Sequence, residues 1–146
     1  MLVKDDVALR ELLEHFLIDA GHSVTVFDSA EDALCYFKPD HYDVIVTDYH
    51  LPDDTGIDFI KDIRKLDHTV GVVITTADKK ANVSEQCDGL HIWSVITDPS
   101  DFDLTLEKIQ EAYEFSHLAD EQLSADLASE ISGMRRAILD VRSALL

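Results

Sequence analysis

Short apolar runs alternate with helix-patterned segments along the first two thirds of the chain. The apolar runs, which predict strands, lie at residues 1–3, 24–27, 44–46, 70–74 and 92–96. Between the first two runs, Leu9, Leu13 and Leu17 recur at the spacing of one helix face. Strands that alternate with helices form parallel βαβ units. The pattern therefore predicts an α/β fold, a flavodoxin-like, doubly wound, five-stranded parallel sheet of order 2-1-3-4-5.

The helical segments differ in how clearly the sequence bounds them. The second predicted helix spans Ala30–Lys38, because a capping box precedes it and Pro39 follows it. The segment between the fourth and fifth predicted strands, residues 79–88, has few apolar positions and contains poor helix formers. We expect only a short or mobile helix in that segment.

A separate pattern begins near residue 118. Apolar residues then recur at intervals of 4 and 3, at Leu127, Ile131, Met134, Ile138, Val141 and Leu145. One interpretation is a helix that packs back on its own domain. The other is a projecting coiled coil, which the period favours because it is nearer 3.5 than 3.6 residues. We expect a globular domain over residues 1–117 and a coiled-coil tail over residues 118–146 that forms a homodimer.

The composition and net charge of the chain limit the classes of molecule that we expect it to bind. The 146 residues include 30 Asp and Glu against 12 Lys and Arg, for a net charge of −18. This charge repels nucleic-acid phosphates and anionic lipid headgroups, so we expect neither direct nucleic-acid binding nor membrane binding. No apolar run approaches the about 20 residues of a spanning helix, and no signal-peptide pattern is present. The sequence predicts a cytoplasmic protein.

Acidic residues follow two strands that the predicted order makes neighbours. Asp5 and Asp6 follow the first strand, and Asp48 follows the third. Such carboxylates would converge at the carboxyl edge of the sheet, where their mutual repulsion calls for a cation such as Mg²⁺. Asp48 is then a candidate nucleophile toward phosphorus. A hydroxyl of Thr75 or Thr76, at the end of the fourth strand, could donate to a phosphoryl oxygen.

Three segments carry this chemistry in chain order. They are Lys4-Asp5-Asp6, Asp48-Tyr49-His50-Leu51-Pro52 with Gly56, and Thr76-Ala77. Together they resemble the receiver domain of two-component response regulators. In that family an acidic pair follows strand 1, a phospho-accepting Asp lies four residues before a Pro, and a Thr or Ser follows strand 4. The resemblance covers residues 1–117.

The resemblance implies a role for each matching residue. Asp48 would accept the phosphoryl group from a histidine kinase or a phosphotransfer protein. Asp6 and Asp48 would bind Mg²⁺ directly, together with the backbone carbonyl of His50, and Asp5 would act mainly through water. Thr76 would be the switch hydroxyl that closes on the phosphoryl group. The protein would be a phospho-acceptor with self-catalysed phosphotransfer and possible autodephosphorylation, not an enzyme acting on another substrate.

The sequence departs from the family after the fifth strand. A Lys normally precedes the Pro there, whereas this chain has Asp98 before Pro99. The change removes a charge-assisted contact of about 1.5–3 kcal/mol and adds repulsion. We therefore expect phosphotransfer with a weakened conformational response. Lys4, Lys79 and Lys80 are the candidates for a compensating cation, although lysines of an acidic protein are more often solvated.

Two other functions fit parts of this pattern. One is a pseudo-receiver, a dimerisation or docking module with the same fold that is never phosphorylated. The loss of the strand-5 Lys favours it, and the three acids disfavour it. The other is a phosphatase-like enzyme with an aspartyl nucleophile, which would require a second acid where this chain has His50.

Overall fold

The computed structural model describes residues 1–79 and 81–117. Its strands are β1 (Leu2–Val3), β2 (Val26–Phe27), β3 (Val44–Asp48), β4 (Gly71–Thr75) and β5 (Ser94–Ile96). Its helices are α1 (Val7–Asp19), α2 (Ala30–Tyr36), α3 (Gly56–Leu66), α4 (Val83–Gln86) and α5, which covers residues 102–117 of the described part. The predicted coiled-coil tail, residues 118–146, lies outside the described residues.

The five strands form one parallel sheet of order β2-β1-β3-β4-β5, which confirms the predicted fold class and strand order. Each βαβ connection carries the chain over one face of the sheet. As a result the carboxyl ends of β1, β3, β4 and β5 meet at a single edge. That edge is the place where an open α/β sheet forms its binding site.

The two faces of the sheet are covered by different helices. On one face, strand residues such as Ile45, Val72 and Ile74 pack with α2 and α3. On the other face, Leu2, Val46, Val73 and Ile96 pack with α1 and α5. Because strand side chains alternate between faces, even-numbered residues of β1, β3 and β5 and odd-numbered residues of β4 point toward α1 and α5.

The bounds of several elements differ from the sequence prediction, and for α2 and β5 the structure shows a cause. Helix α2 ends at Tyr36 rather than at Lys38, because Phe37 adopts an extended conformation and is buried in the core. Strand β5 begins at Ser94 rather than at Ile92. Buried Arg64 donates hydrogen bonds to two carbonyls just before that strand, those of Leu90 and His91, and holds this segment as a loop.

The segment between β4 and β5 contains the one-turn helix α4, and the prediction of a short helix there is confirmed. Asn82 precedes it in the left-handed region with φ of 49° and forms no side-chain cap. Within α4 only Val83 is buried, so little apolar contact supports the helix. Among the described helices, none combines the length and the apolar character that a membrane span requires.

Candidate functional site

The candidate site lies at the carboxyl edge of the sheet, where Asp48 is the last residue of β3. Asp48 is the register partner of Thr75 on β4. On the other side of β3, Val3 pairs with Thr47, so Lys4 lies level with Asp48. Register partners on parallel strands point to the same face. Lys4, Asp48 and Thr75 therefore form a row across three strands on the face that α1 and α5 cover.

Lys4 is a buried lysine whose ammonium group contacts both other members of this row. Lys4 is 1% exposed. Its Nζ donates hydrogen bonds to Oδ1 of Asp48 at 2.7 Å and to Oγ1 of Thr75 at 2.9 Å. The Thr75 hydroxyl in turn donates to Oδ1 of Asp48 at 2.6 Å. Of the two candidate compensating lysines that the structure describes, Lys4 and Lys79, Lys4 is thus the one that contacts Asp48.

The two carboxylate oxygens of Asp48 differ in their surroundings. Oδ1 accepts both of the side-chain hydrogen bonds just described, whereas Oδ2 has no hydrogen-bond partner among the described residues. The Asp48 side chain is 21% exposed, in contrast to 2% for the Lys4 side chain. One oxygen of the carboxylate is therefore held within the protein, while the other remains available at the edge of the sheet.

The backbone of Lys4 is fixed on both sides. Its N–H donates to the carbonyl of Phe27 at 3.0 Å, which extends the pairing of β1 with β2. Its carbonyl accepts a hydrogen bond from Nη1 of Arg10, on α1, at 3.0 Å. These contacts hold the Cα of Lys4 beside the sheet, so the side chain reaches Asp48 from a fixed origin.

The acidic pair after β1 is less buried than Asp48. Asp6 is the N-cap of α1, and its Oδ1 accepts a hydrogen bond from the N–H of Leu9 at 3.0 Å. Asp5 is exposed and has no partner among the described residues. Among all the residues that the structure describes, no three His, Cys, Asp or Glu side chains are grouped as a metal site. Instead of the expected cluster of three carboxylates, the structure has the Lys4 ammonium facing Asp48.

The oxygen atoms of the candidate site that lack hydrogen-bond partners are nevertheless suited to bind Mg²⁺. Oδ2 of Asp48, the exposed Asp5 and the backbone carbonyl of His50 have no hydrogen-bond partners among the described residues. All are hard oxygen donors. Mg²⁺ commonly uses only one or two protein carboxylates and completes its coordination with waters and phosphate oxygens. The chemistry of the donor set therefore fits Mg²⁺ without a third grouped carboxylate.

The two threonines at the end of β4 point to opposite faces of the sheet. Thr75 contacts Asp48, whereas the hydroxyl of Thr76 accepts a hydrogen bond from the N–H of Asp78 at 3.0 Å. The N–H of Thr76 donates to the carbonyl of Ile96 at 2.8 Å. The resemblance assigned a role to Thr76 alone. The residues alone left Thr75 and Thr76 open as the hydroxyl donor, and the register sets Thr75 level with Asp48.

Side-chain contacts link the loop after β3 to the segment after β4. Nε2 of His50 lies 2.9 Å from Oδ2 of Asp78. The phenol of Tyr49 donates to Oε1 of Gln86 on α4 at 3.2 Å. Two consecutive residues after Asp48 thus bridge to the next βα connection. His50, for which the resemblance implies a role of the carbonyl alone, also contributes its imidazole to the rim of the site.

The loop after β3 is also held against the end of β3 and against the start of α2. Gly56 packs so closely against the backbone carbonyl of Asp48 that any side chain at position 56 would collide with it. Asp53 accepts hydrogen bonds from the N–H groups of Ala30 and Glu31 at the start of α2. The slight desolvation of this exposed carboxylate raises the pKa of Asp53, but these hydrogen bonds outweigh that effect and lower the pKa.

Asp98, at the atypical position after β5, is exposed, and its side chain forms hydrogen bonds within its own loop. Its Oδ1 accepts hydrogen bonds from the hydroxyl of Ser100 at 2.6 Å and from the N–H of Ser100 at 3.1 Å. These hydrogen bonds, with a smaller attraction from Lys79, lower the pKa of Asp98. The carboxylate of Asp98 is thus satisfied within a local turn.

Sequence comparison relates the chain to bacterial regulators. A family model described as "Response regulator receiver domain" matches residues 1–110. The two-component response regulator PhoP of Pseudomonas aeruginosa is 32% identical over 90 residues, which are 62% of this chain and 39% of PhoP. The uncharacterized transcriptional regulatory protein YcbL of Bacillus subtilis is 31% identical over 78 residues, 53% of this chain and 34% of YcbL. The chain thus spans less than half the length of either relative.

Solved structures show the same fold. The non-phosphorylated HemR receiver domain of Leptospira biflexa superposes with a TM-score of 0.72 at 25% identity, over 77% of this chain and 90% of HemR's. The response regulator TrrA of Thermotoga maritima, solved in complex with Mg²⁺ and BeF, has a TM-score of 0.67 at 23% identity, over 76% and 95% of the two chains. With the sheet order and the family match, these likenesses show that the chain belongs to the response regulator receiver domain family.

Proposed function

We propose that this chain is a phospho-accepting receiver in a two-component phosphorelay, in which Asp48 takes the phosphoryl group from the phosphohistidine of a histidine kinase or phosphotransfer protein. The proposal rests on the different surroundings of the two carboxylate oxygens of Asp48. Oδ1 is held by Lys4 and Thr75, and Oδ2 is without a partner among the described residues at a partly exposed edge. A nucleophile that is oriented on one side and open on the other suits attack on an incoming group.

The chemistry requires one bond to form and one to break. Oδ2 of Asp48 attacks phosphorus, the P–N bond of the phosphohistidine breaks, and the imidazole nitrogen keeps the electron pair. The product on this chain is an acyl phosphate at Asp48. Catalysis of phosphoryl transfer is mostly positioning and charge stabilisation. The hydrogen bonds to Oδ1 supply positioning, since they fix the plane of the carboxylate.

The proposal includes a requirement for Mg²⁺. The residues that would hold the ion are Asp5, Asp6, Asp48 and the backbone carbonyl of His50. When bound, the ion supplies positive charge to the phosphoryl oxygens. The complex of TrrA with Mg²⁺ and BeF supports this part of the proposal by family likeness. The oxygen donors of this chain that lack hydrogen-bond partners support it from the chain itself.

One observation favours a second candidate, the pseudo-receiver that docks or dimerises without being phosphorylated. The Lys4 ammonium already neutralises Asp48 at 2.7 Å, so this carboxylate has a counter-ion within the protein. A carboxylate with an internal counter-ion has less need of an external cation. The two candidates differ in one property that can be measured, which is whether Asp48 forms a covalent adduct.

The experiment is phosphorylation by acetyl phosphate with Mg²⁺, followed by intact-mass spectrometry. We expect one phosphoryl group on the wild-type chain, lost after treatment with hydroxylamine and absent when EDTA removes the metal. Asp48→Asn should take no phosphoryl group. The Asn side chain keeps a carbonyl oxygen for Lys4 and Thr75 but removes the anion, so circular dichroism of this variant should accompany the mass measurement to check that it is folded.

Asp88→Asn is the matched control. Asp88 is an exposed carboxylate with no partner among the described residues, and the variant should be phosphorylated like the wild type. A wild-type chain that takes no phosphoryl group from acetyl phosphate and no fluoroberyllate in the presence of Mg²⁺ would contradict the proposal. That result would favour the pseudo-receiver.

A further inference from the structure

We infer that Lys4 is the fixed cation of the Asp48 site and that the phosphoryl group on Asp48 pairs with its ammonium. The inference rests on the proposed function and deepens it. It assigns to the residue that follows β1 the positive charge that the family resemblance places after strand 5, where this chain has Asp98. Lys4 acts as a positioning residue, since it holds Asp48 before the reaction and the phosphoryl oxygens afterwards.

Lys4 is buried beside Asp48. The Lys4 side chain is 2% exposed, and its ammonium contacts Asp48 and Thr75. A buried ammonium is costly unless an anion lies within hydrogen-bond distance. Asp48 is the anion that contacts it among the described residues. Any change in the charge of Asp48 therefore acts directly on Lys4.

Phosphorylation changes where the negative charge lies at Asp48. When Oδ2 bonds to phosphorus, the carboxylate becomes an acyl group and loses its own negative charge. The phosphoryl group brings negative charge and acceptor oxygens to the same place. An ammonium has three N–H donors, and the described contacts of Lys4 use two of them. The third donor can pair with a phosphoryl oxygen while the contact with Thr75 persists.

The held backbone of Lys4 keeps its ammonium from following an alternative anion far from the site. Its backbone is held by Phe27 on β2 and by Arg10 on α1, each through a hydrogen bond of 3.0 Å. From this fixed origin the side chain crosses beside β3 to reach Thr75 on β4. The positive charge therefore stays under the carboxyl edge of the sheet.

Among the described residues, no cation from the segment after β5 contacts Asp48. Asp98 is exposed and held by Ser100, and Lys79 lies close enough to attract Asp98 electrostatically. Lys79 thus serves as a natural comparison, because it is a nearby lysine whose charge acts on Asp98 rather than on Asp48. Lys80 lies outside the described residues.

The test measures the affinity of the full chain for fluoroberyllate at fixed Mg²⁺, by ¹⁹F NMR. We expect Lys4→Met to weaken binding by about ten- to hundredfold, the effect of losing a hydrogen bond to a charged group. The control Lys79→Met should bind like the wild type. The double variant Lys4→Met with Asp98→Lys should regain most of the lost affinity, because it returns a lysine to the site from β5. A purely structural role of Lys4 would not be rescued in this way.

A measurement on the unaltered chain accompanies the variants. On addition of fluoroberyllate, the ¹⁵N resonance of the Lys4 ammonium should shift, and that of Lys79 should not. Unchanged affinity of a folded Lys4→Met, a loss that Asp98→Lys does not rescue, or an unmoved Lys4 resonance in a chain that binds fluoroberyllate would each overturn the inference while leaving the proposed function intact. A wild-type chain that forms no adduct would overturn both.

Discussion

Nζ of Lys4 lies 2.7 Å from Oδ1 of Asp48, across the β1–β3 pair and 44 residues away in sequence. The pair joins the buried side of the candidate site to the partly exposed carboxylate of Asp48. It also makes the stability of the domain depend on the charge of Asp48, because Lys4 has no other anionic contact among the described residues. Stability measurements can therefore test the pair apart from phosphorylation.

We predict that Asp48→Ala lowers the free energy of unfolding by about 3–5 kcal/mol, because it leaves a buried ammonium without its anion. Lys4→Met combined with Asp48→Ala should recover most of this loss, since the double variant has no buried charge. Urea unfolding of the wild type, both single variants and the double variant measures the coupling. Losses that simply add would mean that the two side chains do not depend on each other.

The threonines at the end of β4 should have separable effects. Thr75→Val keeps the shape but removes the hydroxyl between Lys4 and Asp48, so we expect a loss of about 1–3 kcal/mol in the free energy of unfolding. Thr76→Val should instead weaken fluoroberyllate binding, because the family resemblance assigns the switch hydroxyl to Thr76. Urea unfolding and ¹⁹F titration on both variants test this division. If Thr75→Val alone weakened binding, Thr75 would be the hydroxyl that acts on the phosphoryl group.

Acid should destabilise the fold partly through Asp67, which is 5% exposed. Burial raises the pKa of Asp67, but hydrogen bonds from the N–H groups of Asp40, Thr69 and Val70 and from the Thr69 hydroxyl outweigh it and lower the pKa. A lowered folded-state pKa gives stability that is present above about pH 4 and is lost as the pH falls through the folded value.

We therefore predict that Asp67→Asn is less stable than the wild type at pH 7 and loses less of its stability on acidification from about pH 5 to pH 2. Urea midpoints across this range measure the effect. Asp88→Asn, an exposed control, should follow the wild-type profile. Parallel acid profiles for Asp67→Asn and the wild type would show that Asp67 contributes no acid dependence.

The tail should hold a homodimer. Its apolar positions, named above, would otherwise present a stripe to water along a helix. We expect deletion of residues 119–146, or Ile131→Asp combined with Ile138→Asp, to give a monomer by light scattering with a folded receiver domain. A deletion variant that remains dimeric would place the interface on the receiver domain instead.

The sequence by itself determined the fold class and the edge of the sheet at which Asp48 lies. The alternation of apolar runs with helical segments requires parallel βαβ units, and the sheet order that this pattern predicted is the observed one. The position of Asp48 at the end of a buried run places it at the carboxyl edge of that sheet. The short helix α4 was also predictable, because residues 79–88 offer so few apolar side chains.

The tertiary structure decided which side chains meet Asp48. Strand β1 has only two residues, so no alternation along it could tell which face Lys4 would join. In sequence Lys4 stands beside two acids and resembles an exposed end of a strand. Once β1 pairs with β3, the register sets Lys4 level with Asp48 and points it toward α1 and α5, since a shift of one residue would reverse the face. The same register selects Thr75 over its neighbour Thr76, because contacts across strands depend on pairing that no local pattern of the sequence contains.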